Sequence, residues 1–271
     1  MYKNLFNKYI PKKYLGQHFL KDKNIVDKII TFIYPKKQDI LVEIGSGLGA
    51  LTKPVCNFID HLVVIEVDYD LLLSLRKYSF YNKLTLVNKN VMHVDFKKLS
   101  IQKKNMLRIF GNIPYNISIQ LILYLIQFRQ YIFDMNFMVQ KEVADRLIAC
   151  PGNKKYGRLS VIAQSYYTIE IAFNITPHAF YPQPKVHSSF IKIKPKFPAL
   201  YPWRKIHILE KITCLAFQKR RKILKNSLLN IIDTNNLMKL NINPNVRAEN
   251  ISVQEYCKIA NFLFKSKYFI T

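Results

Sequence analysis

Cysteine is scarce in this chain, with four in 271 residues. Cys56, Cys150, Cys214 and Cys257 are dispersed, matching neither a disulfide framework nor the paired spacings of a metal site. They are expected to be reduced, mostly buried thiols of a cytoplasmic protein. Long apolar runs are missing as well. The longest, Ile119–Phe128, is interrupted by Gln120 and Gln127 and falls far short of the ~20 residues that a membrane span needs. The N-terminus carries no apolar stretch followed by a small-residue cleavage site, so no secretory signal is expected. No internal repeat or low-complexity tract is visible.

Acidic residues are the most telling shortage. There are 17 Asp and Glu against 42 Lys and Arg, a formal net charge of +25. A field of that sign attracts polyanions and speeds their encounter. Nucleic acid is the first candidate partner and an anionic membrane surface the second. A lysine-rich codon bias, which the many Asn, Ile and Tyr residues would fit, is the alternative source of the charge. The length suits one large domain or two unequal ones, and a hydrophobic fraction of 49% supports a sizeable core.

Short apolar runs alternate with helical patterns. Residues 24–34 carry apolar side chains at helical spacing and stop at Pro35. Strand-like runs follow at Ile40–Ile44, Leu62–Glu66, Leu84–Val87, Leu107–Phe110 and Asn136–Val139, with helical patterns near 50–58, 69–78, 117–128 and 141–149. This alternation predicts an α/β fold with a mainly parallel sheet. Residues 158–167 read as a helix. Thr168–Ile175 and Val186–Lys194 read as strands that could close a sheet edge. From Trp203 onward the pattern is helical only, which predicts a boundary near residue 200, with 1–200 as the α/β domain and 201–271 as a small all-α domain.

Gly45-Ser-Gly-Leu-Gly49 lies between a predicted strand and helix. Glycines there let the backbone turn tightly and approach a ligand with no Cβ in the way, and this crossover is where doubly wound folds bind nucleotides. The spacing is not the dinucleotide Gly-x-Gly-x-x-Gly, and no phosphate-loop lysine follows. Glu66 ends the next strand, about 20 residues on, where a carboxylate accepts hydrogen bonds from ribose hydroxyls. Loop and acid together resemble the class I S-adenosylmethionine methyltransferases. That resemblance implies a seven-stranded sheet with one reversed strand, and it places Asn90 near the adenine of the cofactor.

Gly111-Asn112-Ile113-Pro114-Tyr115 follows the fourth strand. Its composition suits methylation of the N6 amine of adenine, whose lone pair is delocalised into the ring. Two acceptors on the amine hydrogens favour a more tetrahedral nitrogen. Asn112 supplies a side-chain carbonyl, and Pro114 frees a backbone carbonyl in a rigid turn. Tyr115 offers a flat face for an extruded base, an interaction worth roughly 1–3 kcal/mol. The transfer is an in-line displacement, so positioning carries most of the work.

With these residues in view, the chain resembles the small-subunit (16S) ribosomal RNA adenine N6,N6-dimethyltransferase family almost end to end. Tyr14-Leu-Gly-Gln-His-Phe-Leu20 is similar to the family's N-terminal segment, which folds over the cofactor. His18, Leu20, Gly45, Gly47 and Glu66 match its cofactor positions, and Asn112 its reaction-site position. Gln140–Arg146 and Tyr156–Ser160 match central blocks. Phe180–Val186 matches an aromatic-proline block whose phenylalanine covers the other face of the target base. Ala216–Lys222 and Arg247–Ile251 match the helical C-terminal domain. The resemblance implies S-adenosyl-L-methionine as cofactor and dimethylation of two adjacent adenosines in a hairpin near the 3′ end of 16S rRNA. It also implies a pre-assembled small ribosomal subunit as substrate and a monomeric enzyme active in subunit biogenesis. One position departs: the family usually has Asp where this chain has Asn90. An amide oxygen accepts without charge assistance, and Asp95 is the nearby carboxylate that could substitute.

The cluster Lys219, Arg220, Arg221 and Lys222 is expected to contact RNA phosphates, which position a substrate without reading its sequence. Lys8, Lys12 and Lys13 form a second basic patch. A hairpin loop makes extrusion of the target adenines cheap, because its bases are already partly unstacked. Two alternatives stay open: a large-subunit (23S) rRNA adenine methyltransferase, which shares the glycine loop and the tetrapeptide, and a non-catalytic assembly factor that binds the small subunit.

Overall fold

A computed structural model describes residues 9–103, 105–219 and 221–266. Lys8 and Arg220, both assigned above to basic patches, lie outside the described residues. The strands are β1 (Phe19–Leu20), β2 (Ile40–Ile44), β3 (Leu62–Glu66), β4 (Leu84–Asn88), β5 (Leu107–Asn112), β6 (Ile132–Gln140), β7 (Tyr167–Ile175), β8 (Phe180–Tyr181) and β9 (Ser188–Pro195). Seven form one sheet in the order β4-β3-β2-β5-β6-β9-β7. The run from β4 to β6 is parallel and β9 lies antiparallel to β6. β2 and β3 are rich in Leu, Ile and Val, as strands covered on both faces must be, and all five residues of β3 are buried. The expected α/β sheet with a reversed strand is therefore present, and the β7 and β9 pair takes up its edge. The small β1–β8 sheet, which pairs Phe19 with Tyr181 and Leu20 with Phe180, was not predicted.

Strand order dictates where a ligand can sit. From β2 the chain moves to β3 and β4 on one side, then returns to place β5 on the other. Such a reversal opens a crevice at the carboxyl ends of the two central strands, here β2 and β5. Both the glycine loop and Asn112 lie at these ends.

β6 starts four residues earlier than its apolar run suggested, because Asp134 interrupts the pattern. The carboxylate is 1% exposed. It is tolerated there because Arg108 on β5 meets it with two hydrogen bonds, Nε to Oδ1 at 3.0 Å and Nη2 to Oδ2 at 2.9 Å. The same guanidinium donates to Asp39 at 2.6 Å and to the Ile33 carbonyl at 2.8 Å. It thereby ties the helix Lys23–Ile33 to the sheet.

The chain divides into two compact units, residues 1–144 with 170–194, and 145–169 with 195–271. The division is not a single cut near residue 200. The helix Arg158–Tyr166 packs with the helices Ile206–Gln218 and Val253–Lys265 and so joins the second unit. Within that unit the Tyr156 hydroxyl donates to the Ile251 carbonyl and the Tyr256 hydroxyl to the Ala248 carbonyl. Phe217 lies between the two tyrosine rings. None of the four cysteines is in a disulfide, and only Cys56 and Cys257 are buried. Cys150 and Cys214 are exposed, which corrects the expectation of mostly buried thiols. Among the described residues no helix is long and apolar enough to cross a membrane.

Arg108→Met leaves Asp134 buried without its counter-charge. Removing one partner of a buried pair costs about 3–5 kcal/mol, so urea unfolding should show a loss of that size. A loss below about 1 kcal/mol, the range of surface pairs, would contradict the role assigned to Arg108.

Candidate functional site

The glycine loop adopts a conformation that other residues resist. Gly45, Gly47 and Gly49 have φ of 72°, 53° and 81°, in the left-handed region where a Cβ is strained. A Cβ on Gly47 would also meet the Phe19 ring at 2.9 Å. The closest approach is at Gly111, where a Cβ would lie 2.2 Å from the Ile44 carbonyl oxygen. Only glycine lets β5 pass the end of β2 this closely, and that passage sets Asn112 beside the loop.

Glu66, at the end of β3, is buried. Its carboxylate accepts the Gly47 amide at 3.2 Å and the Asp68 amide at 3.1 Å. Burial pushes its pKa up, and these amides oppose the shift. The acid is thus fastened to the loop it was predicted to accompany. Glu43, on β2, is 1% exposed and accepts the Thr52 hydroxyl at 2.6 Å. Burial pushes its pKa up to about 8, against the Thr52 hydrogen bond and with help from the charge on Glu66.

The tetrapeptide is fixed from three sides. The Asn112 side-chain nitrogen donates to the His18 carbonyl at 2.6 Å, so its side-chain oxygen is the acceptor of the pair. The Pro114 carbonyl closes a turn by accepting the Ile117 amide at 3.1 Å. The Tyr115 hydroxyl shares a 2.6 Å hydrogen bond with Ser188, and burial raises its pKa. The His18 ring stacks on Tyr115 at 5.6 Å, and its Nδ1 lies 2.7 Å from the Pro182 carbonyl oxygen.

One cleft is lined by His18, Leu20, Gly45, Gly47, Glu66, Asn112, Pro114 and Tyr115. An adjoining chamber shares Gly45, Glu66, Val67 and Pro114 and adds Tyr14 and Asn90. The Asn90 oxygen caps a turn by accepting the Met92 amide at 3.0 Å. Asp95 caps the next helix through the Lys98 amide and lines neither cavity, so it does not substitute for Asn90. Phe180 is not part of the cleft wall. It is 1% exposed and packed in a core cluster with Leu20 and Phe190, so it presents no open face to a base. Tyr181, on the opposite side of the strand, is the exposed ring. Lys219, Arg221 and Lys222 are exposed just beyond the helix Ile206–Gln218. Lys12 is not a free basic group, since it pairs with Asp68 and Asp70.

Sequence reasoning gave no role to Glu43 or Gly111, which border the two motifs, and did not single out Asp68 or Ser188. Glu43 and Asp68 flank the glycine loop and Glu66 in sequence, so acids inside an apolar strand run and just past the next were the available signal. Nothing local marks Ser188 as a partner of Tyr115. No group of His, Cys, Asp and Glu suited to a metal exists among the described residues.

A carboxyl whose folded pKa lies above its unfolded value keeps its proton in the native state after the unfolded chain has lost it. Stability then falls as pH rises. For Glu43 the window runs from about 4.5 to about 8. Glu43→Gln should flatten the decline in unfolding free energy across that window. A slope unchanged from the native protein would show that Glu43 ionises normally.

The chain matches the family described as ribosomal RNA adenine dimethylase over residues 10–265. It is 52% identical over 260 residues to the ribosomal RNA small subunit methyltransferase A of Buchnera aphidicola subsp. Acyrthosiphon pisum, covering 96% of this chain and 95% of the relative. Among solved structures, a dimethyladenosine transferase from Plasmodium falciparum aligns with a TM-score of 0.79 at 25% identity, covering 92% of this chain and 98% of that one. The 23S rRNA methyltransferase ErmE aligns with a TM-score of 0.68 at 20% identity over 91% and 99% of the two chains, a likeness of fold alone. The architecture is that of a class I methyltransferase, and the chain belongs to the ribosomal RNA adenine dimethylase family.

Proposed function

We propose that this protein dimethylates the N6 amines of two adjacent adenosines in a hairpin loop near the 3′ end of 16S rRNA, within the small ribosomal subunit, as a step in subunit biogenesis. The observation that carries the reading is the shared cleft at the ends of β2 and β5. There the glycine loop, Glu66 and Asn112 meet, in a chain of the adenine dimethylase family.

The cleft suits S-adenosyl-L-methionine. Left-handed glycines keep the cradle free of side chains, Glu66 stands at the ribose position, and Asn90 lines the chamber beyond it. His18 and Leu20 line the same cleft. The cofactor supplies an electrophilic sulfonium methyl. Asn112, its amide nitrogen committed to His18, points its oxygen as an acceptor for one hydrogen of the target amine. The Pro114 carbonyl oxygen, which already accepts the Ile117 amide, has a second lone pair for the other. Tyr115, held by Ser188, supplies a stacking face. None of these groups needs to act as a strong base, because the alkylated nitrogen is acidic enough to lose its proton readily. Phe180 has no role in the geometry described. Lys219, Arg221 and Lys222, with Arg220 outside the described residues, would hold RNA phosphates. A monomer in the cytoplasm completes the reading.

Asn112→Ala should bind small subunits like the native protein yet transfer no methyl groups from labelled cofactor. Equal loss of particle binding would make Asn112 a structural residue. A second expectation concerns Asn90. Its oxygen already serves Met92, whereas a carboxylate has a second oxygen for the adenine amine. Asn90→Asp should tighten cofactor binding in calorimetry, and a clear weakening would remove Asn90 from the adenine position.

A further inference from the structure

The segment before β1 is fastened to the far wall of the cleft by a single carboxylate. Asp68 lies two residues beyond Glu66, and its side chain is fully buried. Four groups converge on it. The Tyr9 hydroxyl donates to Oδ2, Gln17 Nε2 donates to Oδ2 at 2.9 Å, Lys12 Nζ pairs with Oδ1 at 2.7 Å, and the Asp70 amide donates to Oδ1 at 3.1 Å. Gln17 is itself oriented, since its oxygen accepts the Lys12 amide at 2.8 Å. Lys12 also pairs with Asp70 at 2.8 Å. Burial alone would push the Asp68 carboxyl up, but the hydrogen bonds from Lys12, Tyr9 and Gln17 outweigh it and hold its pKa below the ordinary value.

An apolar pin reinforces the charge. The Tyr9 ring meets Phe19 edge-on at 5.6 Å, and both pack with Leu48 and Leu71 in a small cluster separate from the main core. Phe19 in turn sits against Gly47 of the loop. The fastened segment is also a wall of the site: residues 15–20 line the main cleft and Tyr14 the adjoining chamber.

We propose that Asp68 is a positioning residue that latches the Tyr9–Gln17 segment across the cofactor cleft and so sets the rate at which cofactor and its demethylated product exchange. The proposal rests on the cofactor reading above. Dimethylating two adenosines consumes four cofactors, so a latch must hold during transfer and release between transfers. Three of its four contacts on Asp68 come from flexible side chains at 9–17 and can break together. The inference is independent of how Asn112 performs the transfer.

The test uses the full chain with S-adenosylmethionine and small subunits. Because Asp68 also caps the helix Tyr69–Leu75, Asp68→Asn alone could act through folding. The Tyr9→Phe, Lys12→Met double variant leaves that cap in place. It should release cofactor at least tenfold faster in a chase experiment and raise KM for the cofactor to match, with the loss falling on KM rather than kcat and a single cooperative unfolding transition retained at a lower Tm. Asp68→Asn combined with the double variant should add little, since all three changes open one latch. Wild-type release rates in the double variant, with native cofactor binding intact, would overturn the latch alone. A native protein that binds no S-adenosylmethionine would overturn the cofactor reading and the latch with it.

Discussion

The close passage of β5 over the end of β2 is the constraint on which the site depends. A Cβ at Gly111 would lie 2.2 Å from the Ile44 carbonyl oxygen, a distance no side chain tolerates. Glycine there brings Asn112 beside Gly45, whose own Cβ would fall 3.5 Å from the Asn112 carbonyl oxygen. The strand order supplies the crevice, but that order alone does not bring donor and acceptor within reach. The glycine loop and Gly111 together place the proposed nucleoside cradle and Asn112 in one cleft.

The buried carboxylates follow one rule: each is held by specific donors. Asp134 has Arg108, Glu66 has two loop amides, Glu43 has Thr52, and Asp68 has Tyr9, Lys12 and Gln17. Unpaired, each would be costly. The cation meets Asp134 far from the cleft and locks the sheet. Backbone amides meet Glu66 and hold it beside the glycine loop. Glu43 has only a hydroxyl, so burial dominates and its proton is retained to higher pH.

Much of this was legible in the chain itself. The strands β2 to β5 are short β-branched runs with glycine or polar breaks, and their ends were placed within two residues. The loop, Glu66 and the Asn112–Tyr115 stretch could be read because each is a local pattern. What escaped depends on pairs distant in sequence. The first half of β6 was hidden because Asp134 reads as a break until Arg108, 26 positions away, is placed beside it. Asp68 drew no reading because Tyr9, its partner, is 59 positions away. Phe180 was expected on the surface of the site, but pairing of β8 with β1 turns its ring into the core and leaves Tyr181 outside. Strand alternation settles that choice only once the pairing is known.

The most direct measurement is primer extension along 16S rRNA from unmethylated small subunits incubated with the protein and S-adenosylmethionine. The account predicts strong stops at two neighbouring adenosines near the 3′ end, absent when cofactor is omitted. Stops at an adenosine of the large-subunit rRNA instead, or no stops on either RNA with cofactor bound, would contradict it.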